Sequence, residues 1–202
     1  MTVRHLFFDI GGVLGTNGWD QDMRGAAVRT FGLDAADFAE RHEAAVGPLE
    51  QGLMSLDEYL DATIFYSPRA FSRAAFREFV FAQSKPFPDS IALARRLSET
   101  GHYRMMTLNN EASELNVYRV RQFGLDGIFT AFFSSCWVGA LKPSRRIFEL
   151  ALAMAQANPS TSVFIDDRER NLEPARAMGM RGVLFTDVAH LESDLATLGV
   201  RA

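Results

Sequence analysis

Five short apolar segments recur along the chain, and polar residues follow each of them. The segments are Leu6–Phe8, Arg104–Leu108, Ala131–Phe133, Val163–Ile165 and Gly182–Phe185. Polar and apolar positions do not alternate within them, which is typical of strands buried on both faces of a parallel sheet. Met105 and Met106 are the least strand-like residues of the set, because methionine also favours helices. The pattern predicts five buried strands.

Helical patterns fill most of the stretches between these segments. The predicted helices run over Ser90–Leu97, Ala112–Phe123 and Asn171–Met178, and another begins after Ser144 with Ile147, Leu150, Ala151 and Met154 on one face. A glycine lies at or near the end of the first three, as is common where helices end, and serine favours a helix start. Strands that alternate with helices predict an α/β fold with a parallel sheet and right-handed crossovers.

The stretch between the first two predicted strands is far longer than one crossover helix requires. About 90 residues separate these strands, and residues 16–84 carry helical apolar stripes. Ser55 and Glu58 form a capping box, a reciprocal side-chain and backbone pairing that starts many helices. Residues 85–88 contain two prolines, which predicts a linker back to the core. We therefore expect a core of residues 1–15 and 85–202, with a helical cap inserted over residues 16–84.

Composition and charge exclude several classes of function. The chain has 21 Lys and Arg against 25 Asp and Glu, a net charge of −4, whereas nucleic-acid binding needs a basic surface. The single cysteine, Cys136, excludes an internal disulfide and a cysteine-rich zinc site. The apolar runs are too short for a membrane span, and the apolar stretch near the N-terminus is too short for a signal peptide. We expect a cytoplasmic protein that is a monomer or a homodimer, without nucleic-acid or membrane partners.

Polar residues concentrate where the predicted strands end. They are Asp9, Asn109, Asn110, Asp166 and Asp167, with Lys142 in a loop after the third strand. In an open parallel sheet these ends meet at one edge, where ligands bind. Three carboxylates brought together repel one another unless a cation lies among them. Oxygen ligands favour Mg²⁺, which takes its remaining ligands from water and from a phosphate-bearing substrate.

The same segments resemble the motifs of the haloacid dehalogenase (HAD) superfamily. In chain order they are Phe7–Leu14, Leu108–Asn110, Leu141–Pro143 and Ile165–Asp167 with Asn171. Four motifs in the family's order, each at a predicted strand end, extend the resemblance over the whole chain. Within the superfamily the chain is most similar to the α-D-glucose-1-phosphate phosphatase-like and epoxide hydrolase N-terminal phosphatase-like subgroup, with which it shares the Asp-Asp pair and the segment of residues 52–58.

The resemblance implies a Rossmann-like parallel sheet core with an inserted helical C1-type cap, and the activity of a Mg²⁺-dependent phosphatase. Asp9 would attack phosphorus in line and form an aspartyl-phosphate, which water then hydrolyses. Lys142 would pair with Asp9 and with the phosphoryl oxygens. The implied metal ligands are Asp9, the Gly11 carbonyl, Asp167 and, directly or through water, Asp166.

The other predicted contacts concern the substrate, for which we expect a small phosphorylated metabolite and prefer a sugar phosphate. Backbone N–H groups of Gly11 and Gly12 would cradle its phosphate. Asn109 and Asn110 would contact the phosphate through their amides. Trp19 follows the first motif and would either cover the substrate or pack the cap.

Two positions depart from the usual pattern of the family. Most of its phosphatases carry a second Asp, two residues after the nucleophile, as general acid and base. Here that position is Gly11, which has no side chain to transfer a proton. A cap residue such as Asp20, Asp22 or His42 could take this role. Asn109 stands where Ser or Thr is usual, and its amide can still donate to a phosphoryl oxygen.

Two other functions stay open at this point. A 2-haloacid dehalogenase would use Asp9 to displace halide from carbon without metal, although Asp166 and Asp167 would then repel the carboxylate of its substrate. A non-catalytic binding protein would result if glycine at position 11 had removed turnover. Asp166 and Asp167 could also merely cap the helix that follows them.

Overall fold

The computed structural model describes residues 2–202, and its centre is a five-stranded parallel sheet. The strands are β1 (His5–Phe8), β2 (Arg104–Asn109), β3 (Ala131–Ser134), β4 (Ser162–Asp166) and β5 (Arg181–Leu184). Their order across the sheet is β3-β2-β1-β4-β5, and all neighbours are parallel. The first strand of the chain therefore lies at the centre of the sheet. Both of its faces are covered, which explains its unbroken apolar sequence.

Four helices form the insertion that follows β1 within residues 2–202. They are α1 (Gln21–Phe31), α2 (Ala35–Glu50), α3 (Leu56–Thr63) and α4 (Arg73–Ala82). The capping box at the start of α3 is confirmed, because Ser55 and Glu58 each accept a hydrogen bond from the other's backbone N–H. The rings of Phe31, Phe71 and Phe76 pack together in the core of these helices. The inserted helical cap is thus confirmed, and its exact boundaries at residues 16 and 84 stay a prediction.

Helices also cover the two faces of the sheet. They are α5 (Pro88–Glu99), α7 (Ser135–Val138), α8 (Arg145–Ala155), α9 (Glu169–Ala177) and α10 (Val188–Thr197). Helix α6 (Ser113–Gln122) instead packs its Leu115 with the inserted helices. Leu93 of α5 and Leu195 of α10 are buried against one face, and Ile147 of α8 and Leu172 of α9 are buried against the other. Removal of these apolar side chains from water is the main force that holds the layers together.

The register of the strands brings the polar residues together at one edge. Phe8 pairs with Thr107 on one side and with Ile165 on the other. The backbone N–H of Asp9 then donates to the Ile165 carbonyl at 2.9 Å. Asp9 and Asp166, which follow Phe8 and Ile165 in the chain, therefore lie side by side at the carboxyl edge.

The two segments that join the insertion to the core run next to each other. The Thr16 N–H donates to the Lys85 carbonyl at 2.8 Å, and the Lys85 N–H donates to Thr16 Oγ1 at 3.0 Å. Farther into the insertion, Ser135 Oγ donates to the Glu50 carbonyl at 2.6 Å and accepts from the Glu111 N–H at 3.0 Å. The C-terminal end of α2 is therefore fixed to the core beside the polar edge of the sheet.

Two features differ from the expectations. The linker predicted over residues 85–88 is one residue too long, because Pro88 is the first residue of α5. Proline is tolerated there because the first N–H groups of a helix have no intrahelical partner. Helix α10 lies outside the predicted set; the side chain of Asp187 caps it by accepting from the His190 N–H. No helix within residues 2–202 is both long and apolar enough to cross a bilayer.

Candidate active site

Lys142 lies between two carboxylates at the carboxyl edge of the sheet. Its Nζ is 2.9 Å from Asp9 Oδ1 and 2.6 Å from Asp166 Oδ2. Asp9 directly follows β1, Asp166 ends β4, and Lys142 belongs to the loop between α7 and α8. All three side chains are buried. Residues of three separate sequence motifs thus meet in one cluster.

Asp166 is fully buried and held from several directions. Besides the bond from Lys142, it accepts hydrogen bonds from Asn171 Nδ2 at 2.9 and 3.1 Å and from the Arg168 N–H at 2.9 Å. Both of its oxygens are therefore occupied. Asp166 orients Lys142, and the Arg168 contact closes a tight turn just before α9.

Asp167 contributes a carboxylate oxygen that the protein leaves unsatisfied. One oxygen each from Asp9, Asp166 and Asp167 lie within 4.8 Å of one another. Within residues 2–202, the Oδ1 atom of Asp167 is buried without a hydrogen-bond partner. A buried polar atom without a partner is costly, and a cation among these carboxylates would satisfy it. A set of oxygen donors of this kind fits Mg²⁺.

The charges of the cluster do not balance by themselves. Three ionised carboxylates face the Lys142 ammonium and the Arg168 guanidinium, whose Nε is 3.9 Å from Asp167 Oδ1, so one negative charge remains. Burial raises the pKa of Asp9 to about 7, with the Lys142 ammonium opposing this shift and the Asp166 charge adding to it. Burial and then Asp166 also raise the pKa of Asp167. Burial opposes the charge of Lys142, but Asp9 and Asp166 outweigh it and raise the pKa of the lysine. A divalent cation would supply the missing positive charge.

Gly12 closes the turn after β1 against Asp167. Its φ is +77°, and a Cβ at this position would lie 2.2 Å from Asp167 Oδ2. Glycine is therefore required by the backbone conformation and by the available space. The Gly12 N–H donates to the Gly15 carbonyl at 2.8 Å, so this geometry does not support its predicted phosphate contact. Gly11, in contrast, lines the cavity described next.

A cavity of about 540 Å³ lies between the cluster and the inserted helices. On the core side its walls include Asp9, Gly11, Asn110, Glu111, Lys142 and Asn171, and on the opposite side they include Trp19, Asp20, Asp22, Arg24, His42 and Glu50. This volume is in the range of small-metabolite sites. The three residues predicted as substitutes for the missing acid, namely Asp20, Asp22 and His42, all face this cavity.

The two asparagines after β2 are placed differently. Asn110 lines the cavity; its side chain donates to the Lys142 carbonyl at 3.0 Å and accepts from the Lys142 N–H at 2.8 Å. It therefore holds the loop that carries the lysine. Asn109 is buried, accepts from Ser134 Oγ at 2.9 Å and donates to Asn116 Oδ1 at 3.0 Å. Its position among these partners does not support the phosphate contact predicted for Asn109.

Trp19 lines the cavity and packs the cap at the same time. Its ring contacts Phe38, and its Nε1–H donates to the Tyr59 hydroxyl at 2.9 Å. The Tyr59 oxygen also lies 2.8 Å from His42 Nδ1. Burial lowers the pKa of His42 to about 4, and the charge of Arg24 adds to this effect. Because the Tyr59 oxygen already accepts from Trp19, its hydroxyl hydrogen can be donated to Nδ1 of a neutral His42, and the ring hydrogen of His42 is then on Nε2.

Several charged residues of the site were not predicted from the sequence, among them Arg24, Glu50 and Glu111. Glu50 ends α2 and Glu111 follows β2, and both line the cavity. Arg119 of α6 is fully buried and lies 3.3 Å from Glu111 Oε2. Burial raises the pKa of Glu111, and Arg119 opposes the shift. Single charged residues on helices carry no motif; the available signal was the position of Glu111 directly after Asn110.

Fold and site together define a class: an α/β protein with a lysine-bridged carboxylate cluster at its sheet edge, covered by an inserted helical cap. The model of the family described as haloacid dehalogenase-like hydrolase matches residues 3–179. The chain therefore belongs to the haloacid dehalogenase-like hydrolases. The family and the Rossmann-like fold expected from the four motifs are confirmed.

Several known proteins are similar to this chain. It is 32% identical over 99 residues to Bifunctional epoxide hydrolase 2 of Rattus norvegicus. The aligned region covers 48% of this chain and 18% of the rat protein. It is 23% identical over 196 residues to Flavin mononucleotide hydrolase 1 of Arabidopsis thaliana. This alignment covers 96% of this chain and 77% of the plant protein. The chain thus spans less than a fifth of the rat relative.

A solved structure shares the fold over nearly the whole chain. It is a HAD family enzyme from Bacteroides thetaiotaomicron, in complex with magnesium and inorganic phosphate. The TM-score is 0.75 at 20% sequence identity, and the match covers 94% of this chain and 98% of the other. At this identity the similarity is evidence of a common fold.

Proposed function

We propose that this protein is a Mg²⁺-dependent phosphatase that hydrolyses a small phosphomonoester through an aspartyl-phosphate on Asp9. The observation that carries the proposal is the cluster in which Lys142 bridges Asp9 and Asp166 while Asp167 offers an unsatisfied oxygen. Similarity to known proteins adds support, because one relative is named as a flavin mononucleotide hydrolase and one structural neighbour holds magnesium and inorganic phosphate.

The hydrogen bonds of Asp9 suit a nucleophile. Its Oδ1 accepts from the Ile10 N–H at 2.8 Å and contacts Lys142 Nζ. Its Oδ2 has no hydrogen-bond partner in the part of the chain that the structure describes, so this oxygen is available to attack phosphorus. Because Oδ1 is already held, the side chain loses little freedom when it reacts, which lowers the entropic part of the barrier.

The metal site would consist of Asp9, Asp167 and the Gly11 carbonyl, with Asp166 as a ligand directly or through water. Bound Mg²⁺ would supply the positive charge that allows an anionic nucleophile to approach an anionic phosphoryl group. Lys142 would add a fixed positive charge on the side of Asp9 and contact the phosphoryl oxygens. Asn110 would keep the loop of that lysine in place.

The roof of the cavity suits a small polar metabolite, and a sugar phosphate is the preferred substrate class. Trp19 offers an aromatic face, and the Nε2–H of neutral His42 can donate a hydrogen bond to a sugar hydroxyl. The cavity volume of about 540 Å³ accommodates a ligand of this size. We keep the cytoplasm as the predicted compartment, and a monomer or homodimer as the predicted assembly.

A phosphate-release screen tests this function. Sugar phosphates, nucleotides and acyl phosphates are incubated with wild type, with Asp9→Asn and with Asp126→Asn, a matched variant at an exposed position. We expect release by wild type and Asp126→Asn only with Mg²⁺, and none by Asp9→Asn, since an amide is a poor nucleophile. Phosphate release by Asp9→Asn would refute the mechanism.

Two further assays, of halide release and of melting temperature, test the other functions. Halide release from a 2-haloacid that continues in EDTA would indicate a dehalogenase. A ligand that raises the melting temperature, together with no turnover of any substrate, would indicate a binding protein.

A further inference from the structure

In-line attack determines where a proton must be delivered. Asp9 approaches phosphorus from the sheet, so the leaving oxygen departs on the opposite face, toward the inserted helices. The water that later hydrolyses the aspartyl-phosphate enters from that same face, because the leaving group has vacated it. A single acid–base group of the insertion can therefore serve both steps. Gly11 offers no side chain for this work.

Most titratable side chains around the cavity are already engaged or face solvent. Asp20 caps α1, and Asp22 is exposed in the first turn of that helix. His42 is neutral and hydrogen-bonded within the cap. Glu111 forms a buried ion pair with Arg119. Each of these four side chains is therefore either held by a partner or exposed to solvent.

Glu50 differs from all of them. It ends α2 and lines the cavity, and its carboxylate has no hydrogen bond or ion pair among the residues that the structure describes. Its backbone is held tightly, because Ser135 Oγ bridges the Glu50 carbonyl and the Glu111 N–H. At Gly52, where φ is +72°, a Cβ would lie 2.1 Å from the Cys136 carbonyl oxygen. The backbone that carries this side chain is thus fixed beside the cavity, while the carboxyl oxygens have no partner among the described residues.

We propose that Glu50 is the general acid and base of the reaction, a role that rests on the proposed phosphatase function. In the first step an Asp9 oxygen bonds to phosphorus, the bond from phosphorus to the leaving oxygen breaks, and the Glu50 carboxyl proton moves to that oxygen, which departs as an alcohol. In the second step a water oxygen bonds to phosphorus, the Asp9–phosphorus bond breaks, and a water proton moves to the Glu50 carboxylate. Inorganic phosphate leaves, and both side chains return to their starting forms.

The electrostatic environment supports this assignment. Burial raises the pKa of Glu50 to about 7, and the charge of Glu111 adds to the shift, while Arg168, Lys142 and Arg24 oppose it. A group whose pKa lies near the working pH is present in both protonation states. It can therefore give a proton in one step and take one in the next.

Leaving groups of different basicity test the proposal. An alkoxide needs a proton to depart, whereas p-nitrophenolate departs without one. In Glu50→Gln we expect kcat/KM for an alkyl phosphate to fall by about 10²–10⁴, and kcat/KM for p-nitrophenyl phosphate to fall less than about tenfold. Because the base is also missing, p-nitrophenyl phosphate should give a rapid burst of product followed by slow turnover.

Control variants separate chemistry from structure. Glu43→Gln, at an exposed position of the same helix, should behave as wild type on both substrates. If Glu50→Gln does not fold, Glu50→Asp carries the test, since its shorter carboxyl should lower the alkyl rate more than the aryl rate. Equal losses on both substrates, or no loss, would overturn the role of Glu50 and leave an Asp9-dependent phosphatase intact. No phosphate release by wild type from any substrate would overturn the proposed function itself, and this role with it.

Discussion

Replacement of Arg119 tests how the inserted helices are held to the core. The side chain is 1% exposed, and that of its partner Glu111 is 6% exposed, at a distance of 3.3 Å. Arg119 also donates to Ser84 Oγ and to the Asn17 carbonyl, both at 3.1 Å. These two residues belong to the two segments that connect the insertion to the core. One buried guanidinium therefore ties both segments to α6.

The Arg119→Met variant preserves most of the side-chain volume but leaves Glu111 buried without a cation. Removal of one partner of a buried ion pair costs about 3–5 kcal/mol, because water cannot screen the remaining charge. For a chain of this size, each kcal/mol lowers the melting temperature by about 2–4 °C. We therefore expect the melting temperature to fall by roughly 10 °C. Adding Glu111→Gln should recover part of the loss, since the unpaired charge then disappears.

Urea denaturation followed by circular dichroism measures the free energy of unfolding of the two single variants and the double variant. The double variant should be less destabilised than the sum of the single variants by at least about 1 kcal/mol. Arg121→Met, at an exposed position of α6, should change the free energy by less than about 0.5 kcal/mol. Strictly additive free energies, or a loss below about 1 kcal/mol for Arg119→Met, would refute the reasoning.

Two further predictions concern the site. Gly12→Ala should lower kcat/KM at least ~100-fold, because the added methyl group displaces Asp167. Gly32 has a similar φ of +63° but open space around it, so Gly32→Ala should only lower the melting temperature slightly. Equal kcat/KM values for the two variants would contradict the steric argument. The folded-state pKa of His42 is about 4, below its ordinary value of 6.5. As the pH falls from 6.5 toward 4, the histidine is protonated in the unfolded chain but not in the folded one, so the free energy of unfolding decreases over this range. The difference between the urea midpoints at pH 7 and pH 5 should therefore be smaller in His42→Gln than in wild type, and an unchanged difference would exclude this contribution.

Much of the fold and of the cluster could be predicted from the sequence, because the relevant signals are local. A strand buried on both faces needs an unbroken apolar run, and Leu6–Phe8 shows one directly before Asp9. Parallel strands place such following residues at one edge of the sheet. Asp9, Lys142 and the Asp166–Asp167 pair were therefore predicted to meet, and Lys142 indeed contacts Asp9 and Asp166.

The tertiary structure alone decided which polar side chains face the cavity. Asn109 and Asn110 are neighbours with the same side chain, yet Ser134 and Asn116 hold the first in the interior while the second holds the lysine loop. Glu50 reaches the site through a hydrogen bond from Ser135, a residue 85 positions away in the chain. The direction of a side chain depends on partners that only folding brings near, whereas the apolar pattern of a strand depends on burial that every residue of the run shares.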